Sequence, residues 1–118
     1  MPLRDALPSE YAERVLDLVE RIPPGRVLAY GDIAAILAEG GPRQVGTVMA
    51  QWGGAVPWWR VLRADGSPPQ GLEAEALARY AEEATPLRAR TSRVDMAAAR
   101  WDEADAGGGP AAGRFAPM

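Results

Sequence analysis

The side chains that could do chemistry in this sequence are few in kind. It has no cysteine and no histidine, and its 13 basic residues are all arginine. Thiolate nucleophiles, imidazole bases, zinc–thiolate sites, lysine Schiff bases and a P-loop lysine are all excluded by that inventory. General acid–base work is left to carboxylates such as Asp32 and Asp65, and neither has a visible second partner. The other functional groups are arginine, a planar cation that stacks and binds phosphate, and tryptophan, a large apolar ring with one donor. Arginine dominates the middle of the chain. Residues 21–63 carry Arg21, Arg26, Arg43, Arg60 and Arg63 against Asp32 and Glu39, a balance of +3, while residues 1–20 and 64–118 each sum to −3. A basic block between acidic flanks suits a polyanionic partner, with the flanks keeping non-specific affinity low and salt-sensitive.

The elements that must position these groups follow from periodicity. A chain of 118 residues with 25% charged side chains reads as one ordinary globular domain, placed here at residues 1–101. Residues 102–118 are mostly Asp, Ala, Gly and Pro with little to bury, and read as a disordered tail. No apolar run reaches the length of about 20 residues that a membrane span needs, and no signal pattern opens the sequence, so a cytoplasmic protein without a membrane partner is expected. No metal or cofactor is expected.

Ser9 is an N-cap candidate for a first helix, with Tyr11, Val15, Leu18, Val19 and Ile22 on its inner stripe and Pro23-Pro24-Gly25 ending it. Residues 26–30 read as a short extended link. Gly31-Asp32 opens a second helix, Ile33 to Glu39, closed by Gly40-Gly41, and Pro42 starts a third that runs to about Trp52. Two short helices across a Gly-containing turn form a helix-turn-helix candidate. The third helix should bury Val45, Val48, Met49 and Trp52. Its other side presents Arg43, Gly46, Thr47 and Ala50, one long cation followed by small side chains. Such a face cannot read base edges in the major groove, which takes several long polar side chains. It can let the helix backbone approach a nucleic acid closely while Arg43 projects, or Gly46 and Ala50 can simply permit tight helix packing.

Val56-Pro57-Trp58-Trp59-Arg60-Val61-Leu62-Arg63 reads as a bulky segment entering a strand, with Asp65-Gly66 as a hairpin turn signal. Adjacent tryptophans on an extended chain point to opposite sides. One of the two is expected in the core and the other lining a surface or cavity. A fourth helix from Leu72 to about Ala84 should turn Leu77, Tyr80 and Ala81 inward, followed by a basic run at Arg88, Arg90 and Arg93. The expected fold is mainly α, a winged-helix-like helix-turn-helix domain with a short strand or hairpin element.

The order of these segments carries a resemblance. Residues 22–34, Ile-Pro-Pro-Gly-Arg-Val-Leu-Ala-Tyr-Gly-Asp-Ile-Ala, resemble the approach to the helix-turn-helix of O6-alkylguanine-DNA alkyltransferases. Residues 41–49, Gly-Pro-Arg-Gln-Val-Gly-Thr-Val-Met, resemble that family's recognition helix. Val56-Pro57-Trp58-Trp59-Arg60-Val61 stands where the family has Pro-Cys-His-Arg-Val, so Trp58 takes the place of the acceptor cysteine and Trp59 that of the histidine. The chain is thus similar to the alkyltransferase-like proteins, in which tryptophan replaces the nucleophile. The family's loop Asn and later catalytic Glu have no counterpart that can be placed from sequence.

The resemblance implies a monomeric, non-enzymatic sensor of O6-alkylguanine in duplex DNA, nucleoid-associated when bound, that passes the lesion to nucleotide excision repair proteins. It implies that Arg43 stacks in the hole left by a flipped base, that Tyr30 crowds the phosphate beside that base, and that Gly46, Thr47 and Ala50 lie against the minor groove. The lesion pocket would be formed by Trp58, Tyr30, Val56, Pro57 and Arg60, its apolar wall favouring a buried alkyl group by about 0.8 kcal/mol per methylene, while Trp59 packs inside. For Arg60, a hold on backbone carbonyls and a phosphate contact both remain open; Arg26 and Arg63 are further phosphate candidates. The alternatives are a helix-turn-helix transcriptional regulator or another DNA-binding protein without lesion specificity.

Overall fold

The computed structural model describes residues 9–103. The expected tail at 102–118 therefore lies almost wholly outside the described residues. Helix α1 spans Glu10–Arg21, with the Ser9 hydroxyl accepting from the Ala12 amide at 3.1 Å, and it buries Val15, Leu18 and Val19. Strand β1, Leu28–Ala29, runs directly into α2, Tyr30–Leu37. This helix starts earlier than expected, because the Asp32 carboxylate accepts from the Ala29 amide at 2.8 Å and makes Ala29 the cap. It also ends earlier, at Ala38 in the left-handed conformation (φ 56°), before the glycine pair is reached. Helix α3, Pro42–Trp52, matches expectation, with Val45 and Val48 buried and Met49 and Trp52 half-buried.

A 3₁₀ turn over Trp58–Arg60 delivers the chain into β2, Val61–Leu62. The expected strand is present, but the Asp65-Gly66 turn does not return a second strand onto it; an antiparallel bridge joins Leu87 to Val94 instead. β2 pairs in parallel with β1, Leu28 against Val61 and Ala29 against Leu62. The Asp65-Gly66 turn does form, with Gly66 at φ 87°, but Pro68 and Pro69 follow it and cannot donate to a returning ladder. The Gly66 carbonyl instead accepts from the Val94 amide at 2.9 Å.

Helix α4, Glu73–Glu83, buries Ala76 and Tyr80 and leaves Ala81 exposed, contrary to expectation; its inner stripe runs through 76, 80 and 83. Helix α5, Met96–Ala99, is capped by Asp95 and leads to buried Trp101. The small sheet divides the interior. Leu28 and Val61 join the cluster beneath α1, α2 and α3, while Val27 and Leu62 join the one beneath α4 and α5, as alternation along a strand requires. No helix among the described residues is long and apolar enough to cross a membrane.

Candidate nucleic-acid interface

The outer side of α3 is as bare as its sequence suggests. Arg43, Thr47 and Ala50 are exposed and Gly46 is half-buried. Among the described residues nothing hydrogen-bonds or ion-pairs with the Arg43 guanidinium, so it is free to engage a partner. The Thr47 hydroxyl donates to the Arg43 carbonyl at 3.1 Å and is thereby tied to its own helix. A Cβ built on Gly46 would meet nothing within 4 Å. Tight helix packing therefore does not explain that glycine.

Three concavities continue from this face. Arg43, Thr47 and Ala50 line a groove of about 860 Å³ between α3 and the start of α1. Ala50 also borders a second cavity of about 420 Å³, together with Tyr30, Gly46, Met49 and Trp58. That volume is within the range of about 300–1,000 Å³ usual for small-molecule sites. Trp58 in turn borders a third cavity of about 490 Å³ lined by Val56, Pro57 and Arg60. The expected pocket residues are thus divided: Tyr30 and Trp58 border the middle cavity, and Val56, Pro57 and Arg60 border the third one with Trp58.

Tyr30 occupies the first position of α2, placed there by β1. Its half-buried hydroxyl finds no hydrogen-bond partner among the described residues. Burial raises its pKa, against the opposing charge of nearby Arg63, so the group stays a protonated donor at neutral pH. A core tyrosine with a satisfied hydroxyl is not what the structure presents.

The tryptophan pair sits on a turn rather than a strand. The Trp58 and Trp59 rings meet edge to face, with centroids 5.6 Å apart and planes at 86°. Trp59 is half-buried, not internal. The Arg79 guanidinium lies 4.5 Å from its ring centroid and that of Arg60 5.4 Å, and its indole N–H donates to Glu83 Oε2 at 2.9 Å.

Glu83, which sequence reasoning missed, anchors the whole turn. Its carboxylate accepts from Arg60 Nε at 3.1 Å, from Arg60 Nη2 at 2.6 Å and from the Gly25 amide at 3.1 Å, besides Trp59. Arg60 Nη1 also donates to the Ile22 carbonyl at 2.8 Å, so its guanidinium holds the turn on the backbone as well as on Glu83. Tyr80 completes the set by donating to the Trp59 carbonyl at 2.7 Å. A signal for Glu83 existed, since it falls on the same stripe of α4 as buried Ala76 and Tyr80. Arg26 is likewise occupied, donating to the Ala98 carbonyl at 2.9 Å, whereas Arg63, Arg88, Arg90 and Arg93 remain exposed. Asp32 caps α2 and pairs with Arg100 at 2.9 Å. Asp65 is held below its ordinary pKa by its hydrogen bonds from Ser67, which makes it a weaker base. Among the described residues no cluster of three metal-ligating side chains occurs.

Known proteins resemble this chain in sequence and fold. The family model for the 6-O-methylguanine DNA methyltransferase DNA-binding domain matches residues 10–88. The methylated-DNA–protein-cysteine methyltransferase of Methanothermobacter thermautotrophicus is 39% identical over 61 residues, covering 50% of this chain but only 34% of that protein. S. pombe Atl1, solved with damaged DNA containing O6-carboxymethylguanine, superposes with a TM-score of 0.69 at 28% identity, covering 82% of this chain and 99% of that one. S. pombe ATL solved with DNA gives a TM-score of 0.68 at the same identity and coverage. With the family match running through the helix-turn-helix, the tryptophan turn and α4, this chain belongs to the family of the 6-O-methylguanine DNA methyltransferase DNA-binding domain, as an alkyltransferase-like member whose sequence contains no cysteine.

Proposed function

We propose that this protein is a non-enzymatic sensor of O6-alkylguanine in duplex DNA. α3 lies along the minor groove, brought close by Gly46, Thr47 and Ala50. Arg43 enters the stack as the damaged base turns out, filling the gap with a planar cation and offsetting the few kcal/mol that unstacking costs. Tyr30 donates to the phosphate beside that base. The guanine enters the middle cavity, where Trp58 offers an apolar wall in place of a nucleophile, and the bound lesion is then signalled to nucleotide excision repair. One observation carries the reading: a cavity of about 420 Å³ borders both Tyr30 and Trp58 and shares Ala50 with the groove that holds the unengaged Arg43.

The test is a gel-shift comparison of a duplex carrying O6-methylguanine with its unmodified twin, followed by mass analysis of the recovered oligonucleotide. Tighter binding of the modified duplex, with the methyl group still in place, is the expected result. Equal affinity for the two duplexes would refute lesion sensing, and loss of the methyl group would refute the non-enzymatic half. Arg43→Ala should weaken lesion binding more than any other single change on α3. If it bound as well as the parent and Thr47→Arg also had no effect, α3 would not be the DNA-facing helix.

A further inference from the structure

The middle cavity has a charge character of its own. Its lining includes one charged side chain, Glu75, in the first turn of α4. Gly54, Trp58 and Glu75 border both this cavity and the third one, so the Glu75 residue stands where the two cavities adjoin. Glu75 is exposed and makes no hydrogen bond or ion pair among the described residues. The neighbouring cations are committed elsewhere: Arg79 stacks on Trp59 and lies 3.8 Å from Glu82, and Arg60 is held by Glu83. Arg63 stands near Tyr30 but outside the lining, where a phosphate would engage it. The positive end of α4 is already met by Glu73 and Glu75.

We infer that Glu75 sets adduct specificity, so that the cavity accepts O6-alkylguanines with uncharged substituents and discriminates against anionic ones. The inference rests on the lesion-sensing reading and adds the substrate class to it. Water screens Glu75 in the free protein, but a docked duplex and an inserted base displace that water and bring two negative charges together in a less polar setting. S. pombe Atl1 was solved with DNA containing O6-carboxymethylguanine, whose carboxylate is of the class that Glu75 would disfavour here.

The experiment compares three duplexes carrying guanine, O6-(2-hydroxyethyl)guanine or O6-carboxymethylguanine, the last two nearly matched in size. The intact protein should bind the hydroxyethyl duplex about tenfold more tightly than the carboxymethyl duplex, with the gap widening at low salt. Glu75→Gln should shrink that ratio to about twofold or less, and Glu75→Arg should reverse it. Because Glu75 is exposed and unpaired, thermal melts serve to confirm that both variants fold. Hydroxyethyl binding above guanine with carboxymethyl binding just as strong would overturn this inference alone. A ratio unchanged by Glu75→Gln would remove Glu75 from the role. Equal binding of the guanine and hydroxyethyl duplexes would overturn the lesion-sensing reading and this inference together.

Discussion

The Arg60 guanidinium and the Glu83 carboxylate meet side by side, Nε to Oε1 at 3.1 Å and Nη2 to Oε2 at 2.6 Å, with only 13% and 11% of the two side chains exposed. Removing one partner from such a pair leaves a cation with little water to receive it. Glu83→Ala is expected to destabilise the fold by about 3 kcal/mol, because Arg60, Trp59 and the Gly25 amide lose their acceptor together. A shift of the urea midpoint to lower concentration with an unchanged slope checks this.

The same carboxylate makes stability depend on pH in a definite direction. Burial pushes the Glu83 pKa up, but hydrogen bonds from Arg60, Trp59 and Gly25, with the Arg60 charge, outweigh burial and hold it below its ordinary 4.5. The unfolded chain therefore binds the proton more readily than the folded one. The stabilisation is complete above the unfolded value and is lost as pH falls through the folded value. Unfolding free energy should decline as pH falls below about 5, and Glu83→Gln should show a shallower decline there. Denaturant titrations at stepped pH measure the difference between the two proteins.

Gly46 separates stability from function. Its vacant side meets no atom within 4 Å, so Gly46→Ala should raise helix stability by about 0.5–1 kcal/mol. A larger side chain there projects into the cavity that Trp58 and Tyr30 share. Gly46→Leu is expected to melt no lower than the parent yet to bind the lesion duplex about tenfold more weakly, a loss near 1.4 kcal/mol. Paired melting and fluorescence titration tests both halves.

Tyr30→Phe removes a hydroxyl that no other described residue uses. The fold should keep its stability to within about 0.5 kcal/mol. Affinity for the lesion duplex should drop about fivefold, the worth of one hydrogen bond to phosphate. A variant that bound normally would show that the ring alone matters.

What the sequence made legible was local. The Ser9 cap, the α1 stripe and the extent of α3 were readable because each is written within one or two turns of helix. The face carrying Arg43, Gly46, Thr47 and Ala50 followed from the same periodicity. The pairing of β1 with β2 was not readable, because a parallel contact between residues 28–29 and 61–62 leaves no short-range mark, and Asp65-Gly66 suggested a hairpin instead. Glu83 was missed for a related reason. Its partners Gly25, Trp59 and Arg60 lie 23 to 58 residues away, and a glutamate near a helix end ordinarily belongs to solvent. The early start of α2 was concealed by Asp32, read as part of the opening although its side chain reaches back three residues to Ala29.

The contact between Leu28–Ala29 and Val61–Leu62 has an evolutionary consequence. Tyr30 follows one strand immediately and Trp58 precedes the other by a single turn, so peptide-to-peptide bonding, not the side chains themselves, gauges the span between them. A jig of that kind lets the side chain at position 58 be exchanged while the gauge stays set.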